Sequence, residues 1–167
     1  WVDMSNVKIM ESVFWGDYRL REWNLTNAKI GKVESINSLF GWCAWLTWFD
    51  FSNWDLSAVT SMNGLFASAS SLESVKFWEN KIWEVTNMWS MFNGCENLKV
   101  VDLSMFDTSN VTNMENMFKN ATKLKTIYVW NDFNIEHVTD SNDMFKDTIL
   151  IKWWNWTVYN EEKIDKE

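Results

Sequence analysis

The residues that this sequence lacks restrict its chemistry. Its one histidine, His137, has no nucleophile motif beside it, so neither a histidine-based triad nor a histidine metal site can be assembled. The five glycines include no phosphate-binding loop, and there is no proline. We therefore predict no catalytic residue, no metal site and no cofactor, and we expect a protein that is not an enzyme, with His137 as a solvated loop residue.

An excess of basic residues is also missing. The chain of 167 residues has 15 Lys and Arg against 23 Asp and Glu, which gives a net charge of -8. Nucleic-acid binding requires a basic stripe that neutralises phosphates, and no polybasic cluster suits an anionic membrane surface. No segment reaches the roughly 18 apolar residues of a membrane span. We predict neither a nucleic-acid partner nor membrane insertion.

A repeat of 26 residues organises the chain. One phenylalanine recurs with a spacing of 26 residues four times and 27 once, at Phe14, Phe40, Phe66, Phe92, Phe118 and Phe145. A fixed period of this length is typical of a repeat protein, and six copies exceed the three or so that such a protein needs.

The best-formed copy, residues 98–123, divides into two halves. Leu98, Val101 and Leu103 follow a leucine-rich-repeat strand pattern. The apolar residues that come next have the spacing of one face of a short helix: Val111, Met114, Met117, Phe118 and Ala121. We therefore predict an α/β solenoid of about six leucine-rich-repeat-like units, each a strand and a short helix, with one parallel sheet. The helices should end near the six phenylalanines.

Smaller signals refine each copy. Thr112 and Glu115 are spaced as a capping box, and Asn120 suits a left-handed residue after the helix. Asp3, Asp55 and Asp107 each precede a serine by two residues, which favours an Asx-turn over the alternative of stacked calcium ligands.

The domain boundaries follow from the repeat. Residues 1–152 are predicted to form the solenoid, and residues 153–167 a C-terminal exit segment. Because the chain begins in the middle of a unit, we expect a fragment without its N-terminal cap. Cys43 and Cys95 occupy the same repeat position two copies apart. At the usual spacing of neighbouring strands they would lie roughly 10 Å apart, beyond the roughly 7 Å between Cα atoms that a disulfide allows. We therefore predict two buried thiols.

Three features together resemble one family: the Met-x-x-Met-Phe core ending at Phe118, the Asp-Thr-Ser-Asn-Val-Thr-Asn-Met run at 107–114, and the 26-residue period. They are similar to the BspA-like leucine-rich-repeat surface proteins of bacteria. The resemblance implies export to the cell surface or secretion, and adhesion to host-matrix proteins or other bacteria. It implies no catalytic residue and no cofactor.

The outward face of the predicted strands is the candidate binding surface. If Val101 and Leu103 point inward, the period of two turns the alternate residues outward. The outward side chains that we single out are Trp48, Asp50, Lys76, Trp78, Asp102, Tyr128 and Trp130. We predict a non-enzymatic recognition or adhesion module that binds a protein ligand there; the alternative is a passive structural spacer within a larger surface protein, whose outward strand face is simply solvated.

Tryptophan and glycine occur in inverted proportion. Fourteen Trp against five Gly contrasts with ordinary usage, in which Gly alone is about 7%. Several tryptophans stand where other copies have glycine, where the closing Gly-Gly-x-Gly-Thr-x-Tyr run of the resembled family has glycine, or, for Trp130, in a turn before Asn131 and Asp132. These are Trp42, Trp83, Trp130, Trp153, Trp154 and Trp156. One hypothesis is a UGA codon that the organism reads as glycine; the other is a sticky, tryptophan-rich surface.

Overall fold

The structure is a computed structural model that describes residues 3–21, 29–77, 80–130 and 133–151. These ranges contain short strands joined by turns, and no helix. The strands are β1 (Asp3–Met4), β2 (Lys29–Ile30), β3 (Trp48–Asp50), β4 (Ser74–Lys76), β5 (Val100–Asp102) and β6 (Thr126–Tyr128).

All strand pairing is parallel and joins residues 26 apart. β1 pairs with β2, β3 with β4 and β5 with β6, so the described strands form three separate two-stranded sheets. A second series of parallel bridges, just before each repeated phenylalanine, joins equivalent residues of neighbouring repeats: Ile9, Ser35, Ser61, Asn87, Asn113 and Asp140. The sequence period is therefore the register between neighbouring repeats.

Turns replace the predicted helices because two positions of every repeat are left-handed. They lie two residues before and two residues after the repeated phenylalanine, as at Asn116 (φ 55°) and Asn120 (φ 59°). Two left-handed residues that lie four positions apart interrupt a right-handed helix in each repeat. Asn120 is thus left-handed as predicted, but it ends no helix, and the capping box at Thr112 and Glu115 is wrong.

The backbone donors of these turns alternate between two kinds of partner. Met114, Asn116 and Phe118 donate to carbonyls of the next repeat, at N···O distances of 2.8–2.9 Å. The amides of Met117 and Lys119, each directly after one of these donors, donate instead to carbonyls three residues back. Alternate amides thus bond to the next repeat and to carbonyls within the same turn. The buried backbone N–H groups are therefore hydrogen-bonded without a helix.

The core is a column of stacked phenylalanine rings. Neighbouring rings from Phe14 to Phe145 lie 5.5–5.8 Å apart between centroids, with interplanar angles of 4–10°. Methionines beside the rings, such as Met114 and Met117, are fully buried. The apolar positions read from the sequence are therefore core positions, although they are not on a helix.

The predicted α/β solenoid with leucine-rich-repeat topology is wrong in two respects. The described residues contain no helix, and their strands form three two-stranded sheets rather than one parallel sheet. Physically, the spacing of apolar residues that resembles a helix face arises here from consecutive turns that bury the same residues, including Met114, Met117 and Phe118. The exit segment proposed for residues 153–167 lies outside the described ranges.

Candidate functional site: the outward strand face

The strands turn alternate side chains outward, as predicted. Phe49, Val75 and Val101 point into the core and are at most 7% exposed. Their neighbours form three rows across the repeats, which together we call the strand face. Each row consists of equivalent positions in successive repeats, and the first two rows are paired in register within β3–β4 and within β5–β6. The first row is Trp48, Ser74, Val100 and Thr126; the second is Asp50, Lys76, Asp102 and Tyr128; the third, beyond the strand ends, includes Ser104 and Trp130.

The middle row combines charge with an exposed aromatic ring. Asp50 and Lys76 are register partners, and their Oδ2 and Nζ atoms lie 3.2 Å apart. Both side chains are substantially exposed, so the pair contributes only about 0–1 kcal/mol to stability. Tyr128 lies opposite Asp102 and is 57% exposed. An acidic group, a basic group and a tyrosine hydroxyl thus face solvent in one row.

The two aspartates of this row also fix the ends of their strands. Asp50 Oδ1 accepts a hydrogen bond from the Ser52 amide at 2.8 Å, and Asp102 Oδ1 accepts one from the Ser104 amide at 2.9 Å. The pKa of the Asp50 carboxyl is lowered: burial acts against the shift, and the hydrogen bonds from Ser52 and the neighbouring Lys76 outweigh it. These carboxylates therefore have a structural role that the sequence reasoning missed, although the Asp-x-Ser spacing signals it.

The aromatic residues of the face are exposed where the structure describes them. Trp48, Tyr128 and Trp130 are all exposed, and Val100 adds an apolar side chain in the first row. Trp78, the remaining predicted site residue, lies outside the described residues. Aromatic rings beside charges are the composition that protein-binding surfaces favour.

The other sequence-predicted positions have local roles. Asp3, Asp55 and Asp107 each accept the amide hydrogen of the serine two residues on, at 2.9–3.0 Å, which confirms the Asx-turns. His137 is exposed, as expected for a loop residue. In the described part of the chain no group of three histidines, cysteines or carboxylates is placed to hold a metal ion.

Both cysteines are buried free thiols, as predicted. Each Sγ donates to a phenylalanine carbonyl of the preceding repeat: Cys43 to Phe14 at 3.0 Å and Cys95 to Phe66 at 3.2 Å. Burial raises the pKa of Cys43 to about 12 and also raises that of Cys95. Thiolates are therefore suppressed at both positions, which makes a reactive or metal-binding role unfavourable.

The sequence model of one family matches most of the chain. It is described as "Mycoplasma protein of unknown function, DUF285", and it matches residues 1–83 and again residues 49–156. The chain belongs to this family. The two matches of the DUF285 model overlap over residues 49–83, which agrees with a sequence built from one repeated unit. No curated protein and no solved structure matches the chain. Within the described ranges, no helix has the length and apolar character required to cross a bilayer.

Proposed function

We propose that this DUF285 protein is a non-enzymatic recognition module that binds a protein ligand through the strand face. The observation that carries the proposal is the middle row of that face. Asp50 is the register partner of Lys76, and Asp102 that of Tyr128; the four occupy equivalent positions of successive repeats, point away from the core and offer charge, hydrogen-bonding groups and an aromatic ring.

Two further features support a protein ligand. The paired strands β5 and β6 present alternate side chains on one surface, and Val100 and Tyr128 place exposed apolar area on it. Binding energy at protein interfaces concentrates in a few aromatic and charged anchors surrounded by neutral contacts. The net charge of -8 favours a ligand whose contact surface is basic or neutral.

The proposal includes the location of the protein and the class of ligand that it binds. The resemblance to BspA-like surface proteins supports a place on the bacterial cell surface or among secreted proteins. It also supports host-matrix proteins or the surfaces of other bacteria as ligands. Adhesion is the activity that fits both the resemblance and the strand face.

The test is a binding measurement with matched variants. Immobilised fibronectin, laminin, collagen and intact bacterial cells serve as probes. Tyr128→Ala should weaken binding to a recognised probe at least tenfold, whereas Thr112→Ala, exposed on the same repeat stack but outside the three rows, should leave it unchanged. Unchanged binding by the Tyr128 variant, or no binding to any probe, would contradict the proposal.

Asp102 offers a sharper comparison of charge with structure. Asp102→Asn keeps the Oδ1 acceptor for the Ser104 amide and removes only the charge, while Asp102→Ala removes both. A charge that contacts the ligand predicts weaker binding by both variants, with lower stability in the Ala variant alone. Full binding by Asp102→Asn would mean that the charge of Asp102 does not contact the ligand and that this residue only stabilises its turn.

A second candidate, a structural spacer, is favoured by one observation. Phenylalanines from Phe14 to Phe145 stack without interruption at 5.5–5.8 Å, so each repeat extends the stack by a nearly constant step. A spacer predicts that the strand-face variants bind every probe as the unaltered protein does, and that deleting one whole repeat leaves function intact.

A further inference from the structure

Tryptophan has an unusual distribution between core and surface in this protein. The described ranges contain eight tryptophans, and only Trp54 is buried, at 4% exposure. The other seven are at least 40% exposed: Trp15, Trp42, Trp45, Trp48, Trp83, Trp89 and Trp130. Tryptophan is normally among the most buried side chains on average. Of the tryptophans in the described ranges, the core therefore uses Trp54 and leaves the other seven at the surface.

Trp42 also has a backbone conformation that suits glycine. Its φ is 62°, and the equivalent positions two residues after the repeated phenylalanine include Gly16 and Gly94, both with φ 73°. In the other three copies a serine, an asparagine and an aspartate stand there. Bulky residues rarely adopt this left-handed conformation, which glycine adopts freely.

The repeat imposes this conformation on residue 42. The Trp42 amide donates to Ala67 in the next repeat at 2.6 Å, and the Trp42 carbonyl accepts from Ala44 at 2.8 Å. The amides of Ser68 and Gly94 make the same contact with the next repeat, at 2.6 and 2.8 Å. The positive φ is therefore a property of the position, and the tryptophan side chain, 60% exposed, contributes nothing to it.

From these observations we propose that glycine is the natural residue at position 42. We further propose that the seven exposed tryptophans share one origin, a UGA codon that the source organism reads as glycine. Returning the seven positions to glycine brings the glycine count to twelve of 167 residues, close to the usual frequency of about 7%. Trp54 is a true tryptophan, since its ring packs edge-on against Phe49 and Phe51 in the core.

Glycine at these positions changes the composition of the strand face but not its middle row. Trp48 and Trp130 become glycines, while Asp50, Lys76, Asp102 and Tyr128 remain. The binding test above uses Tyr128 and Asp102, so it can fail while the glycine assignment holds, and the reverse is equally true.

The coding DNA and the mass of the natural protein test the proposal together. We expect UGA at the seven exposed positions and UGG at Trp54, with tandem mass spectrometry of the protein from its own cells giving a glycine residue mass at position 42. UGG at Trp42, or UGA with a tryptophan mass there, would overturn the proposal. UGA at Trp42 with UGG at the other six would overturn the shared origin and keep the glycine at position 42.

A stability comparison tests position 42 without the source organism. In the recombinant protein Trp42→Gly should raise the melting temperature by roughly 2–4 °C, because it relieves the left-handed strain. Trp42→Ala retains a Cβ at the same φ and should give a smaller change. Trp45→Gly, also exposed but not left-handed, is the matched control and should give no rise. A Trp42→Gly variant no more stable than Trp42→Ala would contradict the assignment.

Discussion

Removing one ring from the phenylalanine column should be among the most destabilising changes in the protein. Phe118 is 0% exposed, and its ring lies 5.6 Å from that of Phe92 and 5.5 Å from that of Phe145, nearly parallel to both. Phe118→Ala would leave a cavity between two rings. Because the Phe118 amide bonds to Met144 in the next repeat, the backbone holds the gap open.

The expected loss is about 3–5 kcal/mol of unfolding free energy, the usual range for a buried Phe→Ala change. Burial of the side chain alone accounts for roughly 1.5–3 kcal/mol, and the remaining cavity supplies the rest. We place Phe118 in the upper half of the range, since a site supported from both sides relaxes little.

Urea unfolding followed by circular dichroism measures this loss. Phe118→Leu, which keeps most of the apolar volume, should cost clearly less than the alanine variant. Val100→Ala, on the exposed first row, should stay within about 0.5 kcal/mol of the unaltered protein. A cost of less than about 1 kcal/mol for Phe118→Ala would refute the stacked column as the core.

Three further predictions concern local chemistry. The folded protein should not react with a thiol reagent such as DTNB at pH 8, because Cys43 and Cys95 are buried and their pKa values are raised. Both thiols should react in urea. Rapid labelling of the folded protein would contradict their burial. Trp54→Phe should change the unfolding free energy by less than about 1 kcal/mol or raise it, because the indole Nε1 is buried without a hydrogen-bond partner in the described part of the chain. A loss above about 3 kcal/mol would show that the indole is needed. The hydrogen bonds from Ser57 lower the pKa of Asp55 below its ordinary value of 3.8, so the stability it contributes is present above that pH and is lost as pH falls through the folded-state pKa. Asp55→Asn should therefore flatten the acid dependence of the urea midpoint, and an unchanged dependence would exclude this carboxylate as its source.

The period and the core of the fold are predictable from the sequence because burial selects apolar residues whatever the local backbone does. Met114 and Phe118 are recognisable as core, and the outward direction of Asp102 and Tyr128 follows from the alternation around Val101. Parallel pairing at an interval of 26 residues then brings equivalent positions together without further information.

The helix prediction failed because apolar spacing does not distinguish a helix from consecutive turns. The distinguishing signal was present at the positions two residues before and after each phenylalanine. They hold only serine, asparagine, aspartate and glycine apart from Trp42, and they are the left-handed positions. A pair of residues of this kind, four apart in every copy, predicts turns.

The most direct test of the account is a photo-crosslinking measurement on the strand face. A benzophenone amino acid replaces Tyr128 in one variant and Thr112, exposed outside the three rows, in another, and each protein is illuminated on intact bacterial cells and on immobilised matrix proteins. Recognition through the strand face predicts a covalent adduct with one protein partner from position 128 and none from position 112. Equal adducts from both positions, or none from position 128 in the presence of a bound partner, would contradict it.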